Sequence, residues 1–230
     1  MREREGVFLQ VRLDSKRLPK KALLPLAGVP VIVHAMRALK RLDCSVHAIV
    51  TDESSARELL PYAEAEEFEL FAGNPDDVLN RYAEACRCCE VDRIVRATGD
   101  NPLVSWEMAS AALEISRENG ADYAGILEIP YGSGVEVLSA RAVLSAEEES
   151  TDRYDREHVS PFIQRNVDRY VVVRRVAPRH YRHPDLRVTL DTEEDYHQLA
   201  QLFANLYHGK PIGIDELITY AIGQRNQATA

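Results

Sequence analysis

The chain has 230 residues, of which 45% are hydrophobic and 28% charged, so it is long enough to bury a large core. Its formal net charge of −9 argues against general nucleic-acid binding, which requires a basic surface. The longest apolar stretch, residues 22–36, is interrupted by proline, glycine and histidine, so we expect no membrane-spanning helix. Because the start shows no signal-peptide pattern and the four cysteines form no disulfide framework, we expect a cytoplasmic protein.

Strands and helices alternate along the first half of the chain, as in an open parallel sheet with helices on both faces. Hydrophobic periodicity predicts strands at 7–11, 46–50, 68–71 and 93–97. It predicts helices at 31–42, 54–65, 76–89 and 105–119, so that each strand is followed by a helix. Ser54 or Ser55 is the expected N-cap of the second helix, and Gly120 is the expected stop of the last one.

Beyond residue 122 the pattern becomes irregular, which predicts mixed strand pairing around a substrate-facing insert. We expect strands at 135–138, 170–176 and 186–190, and closing helices at 192–207 and 214–222. The prediction is an α/β protein with a single Rossmann-like domain over 1–230, a three-layer sandwich around a mostly parallel mixed sheet. Residues 1 to about 120 would bind a nucleotide and the remainder an acceptor. In such sheets, ligands bind at the carboxyl ends of the strands.

A basic segment directly follows the first strand. Residues 10–21 read Gln-Val-Arg-Leu-Asp-Ser-Lys-Arg-Leu-Pro-Lys-Lys. Arginine and lysine on a loop with exposed backbone N–H groups suit a triphosphate, although the segment lacks the glycine pattern of a Walker A loop. On composition alone, a solvated basic surface is the commoner explanation of such a charge run.

Two aspartates follow later strands of the predicted sheet. Asp100, within Arg-Ala-Thr-Gly-Asp-Asn-Pro-Leu at 96–103, is placed where a hard cation such as Mg²⁺ takes carboxylate and phosphate oxygens. Gly99 would let the backbone approach closely, whereas an ordinary Gly-Asp turn is the alternative interpretation. Asp191, at the end of Leu-Arg-Val-Thr-Leu-Asp, precedes a helix and could instead be its N-cap.

These segments together resemble the acylneuraminate and KDO cytidylyltransferase family, most of all its spore-coat-polysaccharide branch. The likeness rests on Arg12-x-x-Ser15-x-Arg17-Leu-Pro-x-Lys21, on Gly-Asp-Asn-Pro-Leu at 99–103, and on Asp-Thr-Glu-Glu-Asp at 191–195. The resemblance implies the GT-A-like nucleotidyltransferase fold. It also implies a Mg²⁺-dependent enzyme that transfers CMP from CTP to a sugar, sugar acid or related acceptor and releases pyrophosphate, as in polysaccharide biosynthesis.

The same resemblance implies a set of site residues. It places catalysis on Arg12, Lys21 and Asp100, and the metal on Asp100 and Asp191. It assigns substrate binding to Gln10, Arg12, Ser15, Arg17, Lys21, Asp52, Asp77, Arg81, Glu136 and His158, the last two on the acceptor side. Asp195 is expected to be structural. Lys20 stands where the family usually has glycine, which suggests that this position needs no positive φ.

The predicted partners are CTP and a sugar-like acceptor, without nucleic acid or membrane, and the resemblance allows a homodimer through the second half. Rival interpretations are a GT-A-like glycosyltransferase using a nucleotide sugar, transfer from another nucleotide such as GTP, and a non-catalytic nucleotide-binding protein of the same fold. Glycosyltransferases usually carry Asp-x-Asp, where this chain has Gly-Asp-Asn. We expect Cys86-x-x-Cys89 to pack inside a helix, and His180 and His183 to lie in an exposed loop, rather than to bind metal.

Overall fold

The computed structural model describes residues 3–228, and the side chains of residues 3–224. The strands are β1 (Glu5–Gln10), β2 (Pro25–Leu26), β3 (Val29–Pro30), β4 (Val46–Asp52), β5 (Glu69–Gly73), β6 (Arg93–Thr98), β7 (Tyr123–Leu127), β8 (Glu136–Ser139) and β9 (Val172–Val176). The helices are α1 (Val31–Leu39), α2 (Glu53–Ala65), α3 (Val78–Cys89), α4 (Trp106–Asn119), α5 (Ala140–Glu149), α6 (Arg153–His158), α7 (Pro161–Arg165), α8 (Glu193–Leu206) and α9 (Ile214–Ala228).

One large sheet contains the strands in the order β5-β4-β1-β6-β8-β7-β9. Strand β8 pairs antiparallel with both of its neighbours, and the other adjacent pairs are parallel. The central strand β1 is buried along nearly its whole length because both faces of the sheet are covered. This arrangement confirms the predicted mostly parallel mixed sheet.

Alternate side chains of β1 enter two separate hydrophobic layers. Val7 and Leu9 pack with α1, α2 and α4 on one face, whereas Phe8 packs with α3 and α5 on the other. A further cluster joins α8 and α9 to Leu26 and Leu103. The result is the predicted three-layer sandwich. Within residues 3–228, no helix is both long and apolar enough to cross a membrane.

The second half departs from the sequence-based prediction. Tyr123–Leu127 is strand β7, which the prediction missed, whereas residues 186–190, predicted as a strand, form only one bridge, between Arg187 and Tyr131. The reason is that the segment lies against a turn rather than against another strand. Gly132 allows this contact, since a Cβ atom there would be 2.7 Å from the Thr189 nitrogen. The segment therefore enters the site as irregular chain.

The start of α2 differs from the sequence-based prediction, whereas the end of α4 and the cysteine pair of α3 match it. The predicted N-cap at Ser54 or Ser55 is wrong, because Asp52 caps α2 and accepts from the Ser55 nitrogen at 2.9 Å. The stop of α4 at Gly120 is confirmed by its left-handed φ of 56°. Cys86 and Cys89 are buried in α3, and burial raises their pKa values to about 12 and about 11. Both thiols therefore stay protonated at neutral pH and pack, as predicted.

His34 is a buried titratable group in α1. Its Nε2 atom lies 2.9 Å from the Leu26 carbonyl oxygen, and its ring packs against Phe203 and Tyr207 of the α8 region. Burial is the dominant cause that lowers the pKa of His34, so the imidazole is neutral in the folded protein.

We expect the folded state to lose stability as the pH falls below about 6.5, the pKa of a histidine in the unfolded chain. In that range His34 is protonated in the unfolded chain but stays neutral in the folded protein, so the unfolded state is stabilised relative to the folded state. One pH unit below 6.5, the loss is about 1 kcal/mol. Urea unfolding at pH 7.5 and 5.5 measures the loss as a difference in the free energy of unfolding, and His34→Gln should make that difference smaller. An unchanged difference in that variant would remove His34 as its source.

Candidate active site

The basic loop after β1 is closed on itself and anchored to α2. The Lys20 nitrogen donates to the Leu13 carbonyl at 3.2 Å, which draws the two ends of the loop together. The Leu13 nitrogen donates to the Ser55 hydroxyl at 3.0 Å, and that hydroxyl donates to the Asp52 carboxylate at 3.0 Å. Asp52, predicted to bind substrate, is buried and holds this loop in place.

Lys20 occupies the left-handed region, with φ 53° and ψ 28°. The expectation that lysine here removes the need for positive φ is therefore wrong. The closure at Leu13 and the 3₁₀ turn over Lys21–Leu23 fix this conformation, while the Lys20 ammonium contacts Glu58 at 2.7 Å. The backbone keeps the shape that a glycine would adopt without strain.

Lys20→Gly should therefore stabilise the protein by about 1 kcal/mol relative to Lys20→Ala, although both variants lose the exposed pair with Glu58. The pair itself is worth at most about 1 kcal/mol, so the glycine variant should unfold close to the wild type. Urea unfolding of the three proteins compares them. Equal stability of the glycine and alanine variants would mean that loop closure does not force residue 20 into the left-handed conformation.

The structure brings together the predicted metal ligands and the predicted phosphate lysine. The Lys21 ammonium lies 2.6 Å from Asp100 Oδ2 and 2.8 Å from Asp191 Oδ1. These side chains are partly shielded, with exposed fractions of 13%, 27% and 17% for Lys21, Asp100 and Asp191. Arg17 reaches Asp191 at 3.1 Å from the solvent side.

Backbone contacts hold the two aspartates at the same edge of the sheet. The Gly99 nitrogen donates to the Gln10 carbonyl at 2.8 Å, which fixes the turn after β6 against the end of β1. A Cβ atom on Gly99 would lie 2.9 Å from Val11 Cβ, which confirms the predicted close approach. The Leu190 nitrogen donates to the Asp100 carbonyl at 2.9 Å and places Asp191 beside Asp100.

Arg187, which the sequence analysis did not single out, orients the Asp191 carboxylate. Its guanidinium donates to Asp191 Oδ2 at 2.8 Å and to Asp195 Oδ1 at 2.8 Å. Thr192, not Asp191, is the N-cap of α8, and Asp195 completes the capping box. The alternative interpretation of Asp191 as the cap is thereby ruled out, and Asp195 has the structural role predicted for it.

The electrostatics of Asp191 keep it ionised. Burial acts to raise the pKa of Asp191, but hydrogen bonds and charge from Lys21, followed by Arg187 and Arg17, outweigh burial and lower the pKa. For Asp195, the hydrogen bond from Arg187 is the largest cause that lowers its pKa. Both carboxylates are therefore charged at neutral pH.

Asp100 and Asp191 have the chemistry that a magnesium ion needs. Mg²⁺ is commonly held by one or two carboxylates together with the phosphates of a substrate, rather than by a complete protein cage. No group of three or more His, Cys, Asp or Glu suited to a metal occurs among the described residues. The pair fits a cation that is also held by the phosphates of a nucleotide.

The remaining predicted residues differ in exposure and in the partners they contact. Arg12 is exposed and forms an ion pair with Asp14 at 3.3 Å, and Ser15 is half-buried in the same loop. Arg81 is buried and donates to the carbonyl oxygens of Asn74 and Pro75, at 2.6 Å and 3.1 Å. Its guanidinium thus shapes the loop before α3, and any contact with substrate would run through that loop.

Asp77 and His158 have different surroundings, although both are predicted to bind substrate. Asp77 caps α3 and pairs with Arg156 of α6 at 2.7 Å, so it ties the two helices together. His158 is exposed and packs on the Tyr154 ring, with 4.4 Å between ring centroids. The structure therefore gives Asp77 a structural partner and leaves His158 accessible.

A polar cluster on the α3 face of the sheet joins the end of β1 to β8 and α7. Arg96 donates to Gln10 at 3.0 Å and to Glu136 at 2.5 Å, and Glu136 also accepts from Ser160 at 2.7 Å. Gln164 donates to the same carboxylate at 3.2 Å. Sequence reasoning missed Arg96, Ser160 and Gln164. The available signal was Arg96 between the apolar residues Val95 and Ala97 of a predicted strand, since a buried charge needs a partner.

Backbone strain accompanies this cluster at Val159. The residue is buried and has φ 72° and ψ −58°, and the Ser160 nitrogen donates to the His158 carbonyl at 2.9 Å across it. This is a γ-turn with positive φ at a β-branched residue, a conformation that costs about 1–3 kcal/mol. The turn separates α6 from α7 and directs the Ser160 hydroxyl to Glu136.

The chain is similar to known proteins in sequence and in fold. SpsF, a spore coat polysaccharide biosynthesis protein of Bacillus subtilis (strain 168), is 31% identical over 220 residues, covering 92% of this chain and 91% of SpsF. The structure of a cytidylyltransferase from Leptospira borgpetersenii superposes with a TM-score of 0.86 at 22% identity, covering 98% of this chain and 96% of that one.

A CMP:2-keto-3-deoxy-manno-octonic acid synthetase complexed with CTP has the same fold, with a TM-score of 0.67, 15% identity, and coverage of 87% of this chain and 98% of the synthetase. The family model described as "Cytidylyltransferase" matches residues 7–222, which include β1, the basic loop and both aspartates. On this match, and on the likeness to SpsF over nearly the full length, the chain belongs to the cytidylyltransferase family.

Proposed function

We propose that this protein transfers CMP from CTP to an acidic sugar and releases pyrophosphate, with Mg²⁺ bound between the nucleotide and the protein. The observation that carries the proposal is the meeting of Lys21, Asp100 and Asp191 at the carboxyl edge of the sheet, where the Lys21 ammonium lies within 2.8 Å of an oxygen of each carboxylate. Ligands of open α/β sheets bind at this edge. The likeness to SpsF and to a CTP-bound octonic acid synthetase supports the choice of CTP and of a sugar acid.

In the proposed reaction, the basic loop binds the triphosphate. Arg12 and Lys21 donate hydrogen bonds to the β- and γ-phosphates, and they remain bound to the pyrophosphate as its negative charge grows. Mg²⁺ held by Asp100 and Asp191 would withdraw charge from the phosphates. An acceptor oxygen attacks the α-phosphorus in line as the bond to the β-phosphate oxygen breaks. No covalent enzyme intermediate is required.

We assign the acceptor to the half of the site formed by residues after about 120. Glu136 offers its carboxylate, which Arg96, Ser160 and Gln164 hold in a fixed orientation. A carboxylate with defined donors around it suits hydroxyl groups of a sugar, because those hydroxyls donate as well as accept. The exposed ring of His158 lies on α6, the helix that precedes Ser160.

Thermal unfolding with nucleotides tests the base and the metal together. In the presence of Mg²⁺, CTP should raise the unfolding temperature more than equal concentrations of ATP, GTP or UTP, since a ligand at 100 times its Kd stabilises by about 2.7 kcal/mol. Omitting Mg²⁺ should reduce the shift. A larger shift with GTP would support the guanylyl alternative, and a shift only with nucleotide sugars would support the glycosyltransferase.

A further inference from the structure

The Lys21 ammonium stands where the cation would bind. It is within hydrogen-bond distance of Asp100 Oδ2 and Asp191 Oδ1, at 2.6 Å and 2.8 Å, and 87% of its side chain is shielded from solvent, as its exposed fraction is 13%. A cation chelated by this pair of oxygens would have to displace the ammonium. The ammonium and the metal therefore compete for one position.

The charges around this position are already balanced without a metal. The connected ion pairs involve the carboxylates of Asp100, Asp191 and Asp195, and the cations of Arg17, Lys21 and Arg187. Each negative charge is matched by a positive one, so a divalent ion entering this cluster would meet no net attraction. Removing one cation from the cluster restores a net negative charge.

Lys21 can leave the carboxylates while its backbone stays fixed. Its nitrogen donates to the Leu18 carbonyl at 3.2 Å, and the 3₁₀ turn at Lys21–Leu23 begins there. The ammonium sits on a flexible four-carbon stem, so rotation about side-chain bonds is enough to move it. Arg187 is constrained differently, because its planar guanidinium holds Asp191 and Asp195 at once.

We propose that Lys21 exchanges partners during nucleotide binding: in the free protein its ammonium fills the cation position between Asp100 and Asp191, and the triphosphate draws it away and opens that position. This inference rests on the proposed function. The free protein then has little affinity for divalent cations, and the metal enters with the nucleotide or after it. The exchange prevents a metal from occupying the site unproductively.

The test is the affinity of nucleotide-free protein for Mn²⁺, followed by the electron paramagnetic resonance signal of free Mn²⁺. Lys21→Met keeps a side chain of similar length and removes the charge. We expect it to bind Mn²⁺ at least about tenfold more tightly than the wild type, because the two carboxylates are left uncompensated. Lys21→Gln should act in the same direction, which guards against a folding defect in one variant.

Two further variants test whether the gain in Mn²⁺ affinity arises at Asp100 and Asp191. Lys20→Met is the matched control, since Lys20 pairs with Glu58 and not with the aspartate pair, and its affinity should equal that of the wild type. The double variant Lys21→Met with Asp100→Asn should lose the gain, because one carboxylate of the pair has become neutral. Thermal unfolding of each variant shows that it is folded.

If both Lys21 variants fold and bind Mn²⁺ no better than the wild type, the exchange is refuted. The same holds if the gain persists in the double variant, since the bound ion would then lie elsewhere. Neither result touches the proposed function, which is tested by stabilisation with CTP. Failure of CTP to stabilise the wild type would instead refute the proposed function, whatever the Mn²⁺ affinities are.

Discussion

Asp100→Asn should fold normally and lose at least about 99% of Mg²⁺-dependent pyrophosphate release from CTP, a loss in the range seen when a preorganised electrostatic contact to the reacting phosphate is removed. Asparagine keeps the shape of the side chain but lacks the charge that a hard divalent cation requires. The backbone of Asp100 is fixed by its own carbonyl, which accepts from the Leu190 nitrogen, so the substitution leaves that contact intact.

Asp191→Asn should have the same phenotype, for the same reason. Thr192 caps α8, so the variant keeps its helix cap and should not lose the stability, about 0.5–2 kcal/mol, that removal of a cap costs. Steady-state pyrophosphate release and urea unfolding separate the two effects. Asp168→Asn, at an exposed aspartate of the second half, serves as the control and should resemble the wild type in both measurements.

Full activity of either variant at saturating CTP and ordinary Mg²⁺ would remove that residue from the metal site. A variant that lost both stability and activity would instead point to a structural role for the carboxylate. The ion pairs with Lys21 make this distinction necessary, since breaking them can alter stability in either direction.

Lys21→Ala should reduce kcat/KM for CTP by about 30-fold to 1000-fold, which corresponds to about 2–4 kcal/mol of transition-state stabilisation. The ammonium is the donor nearest to the aspartate pair and is placed to bind the charge that develops on pyrophosphate. Arg12→Ala should have an effect in the same range, because its guanidinium is exposed and its ion pair with Asp14 is solvated, so a phosphate can replace that partner.

Lys20→Ala provides the comparison for these two variants. Its ammonium points to Glu58 on α2, away from Asp100 and Asp191, so the variant should keep most of the wild-type activity. Steady-state kinetics with CTP as the varied substrate gives the three values. If Lys20→Ala were inactive while Lys21→Ala remained active, the lysine that contacts phosphate would be Lys20.

The parallel half of the fold could be predicted from the sequence because its strands are buried on both faces and its helices are strongly periodic. The second half could not be predicted as well, for physical reasons. Residues 186–190 have the alternation of a strand but meet a turn at Gly132. The short helices α6 and α7 are separated by two residues, Val159 and Ser160, and the pattern gives no signal for the strained backbone of Val159.

Individual site residues could be predicted from the sequence, but the contacts between them could not. Asp100 and Asp191 are 91 positions apart (191 − 100), and only the family resemblance suggested that they meet. The structure adds that Lys21 lies between them and that Arg187 orients one of them. At Lys20 the sequence is misleading. Lysine disfavours positive φ and therefore predicts an ordinary backbone, whereas loop closure imposes the left-handed conformation.

The central proposal is tested most directly by mixing the protein with CTP, Mg²⁺ and single 3-deoxy-octulosonic or nonulosonic acids, and measuring pyrophosphate and the nucleotide product by mass spectrometry. We expect one or more of these acids to yield a CMP-sugar and pyrophosphate in equal amounts, with CTP preferred over the other nucleoside triphosphates. The proposal would be contradicted if no acid released pyrophosphate from CTP while a nucleotide sugar was consumed, since that outcome identifies a glycosyltransferase.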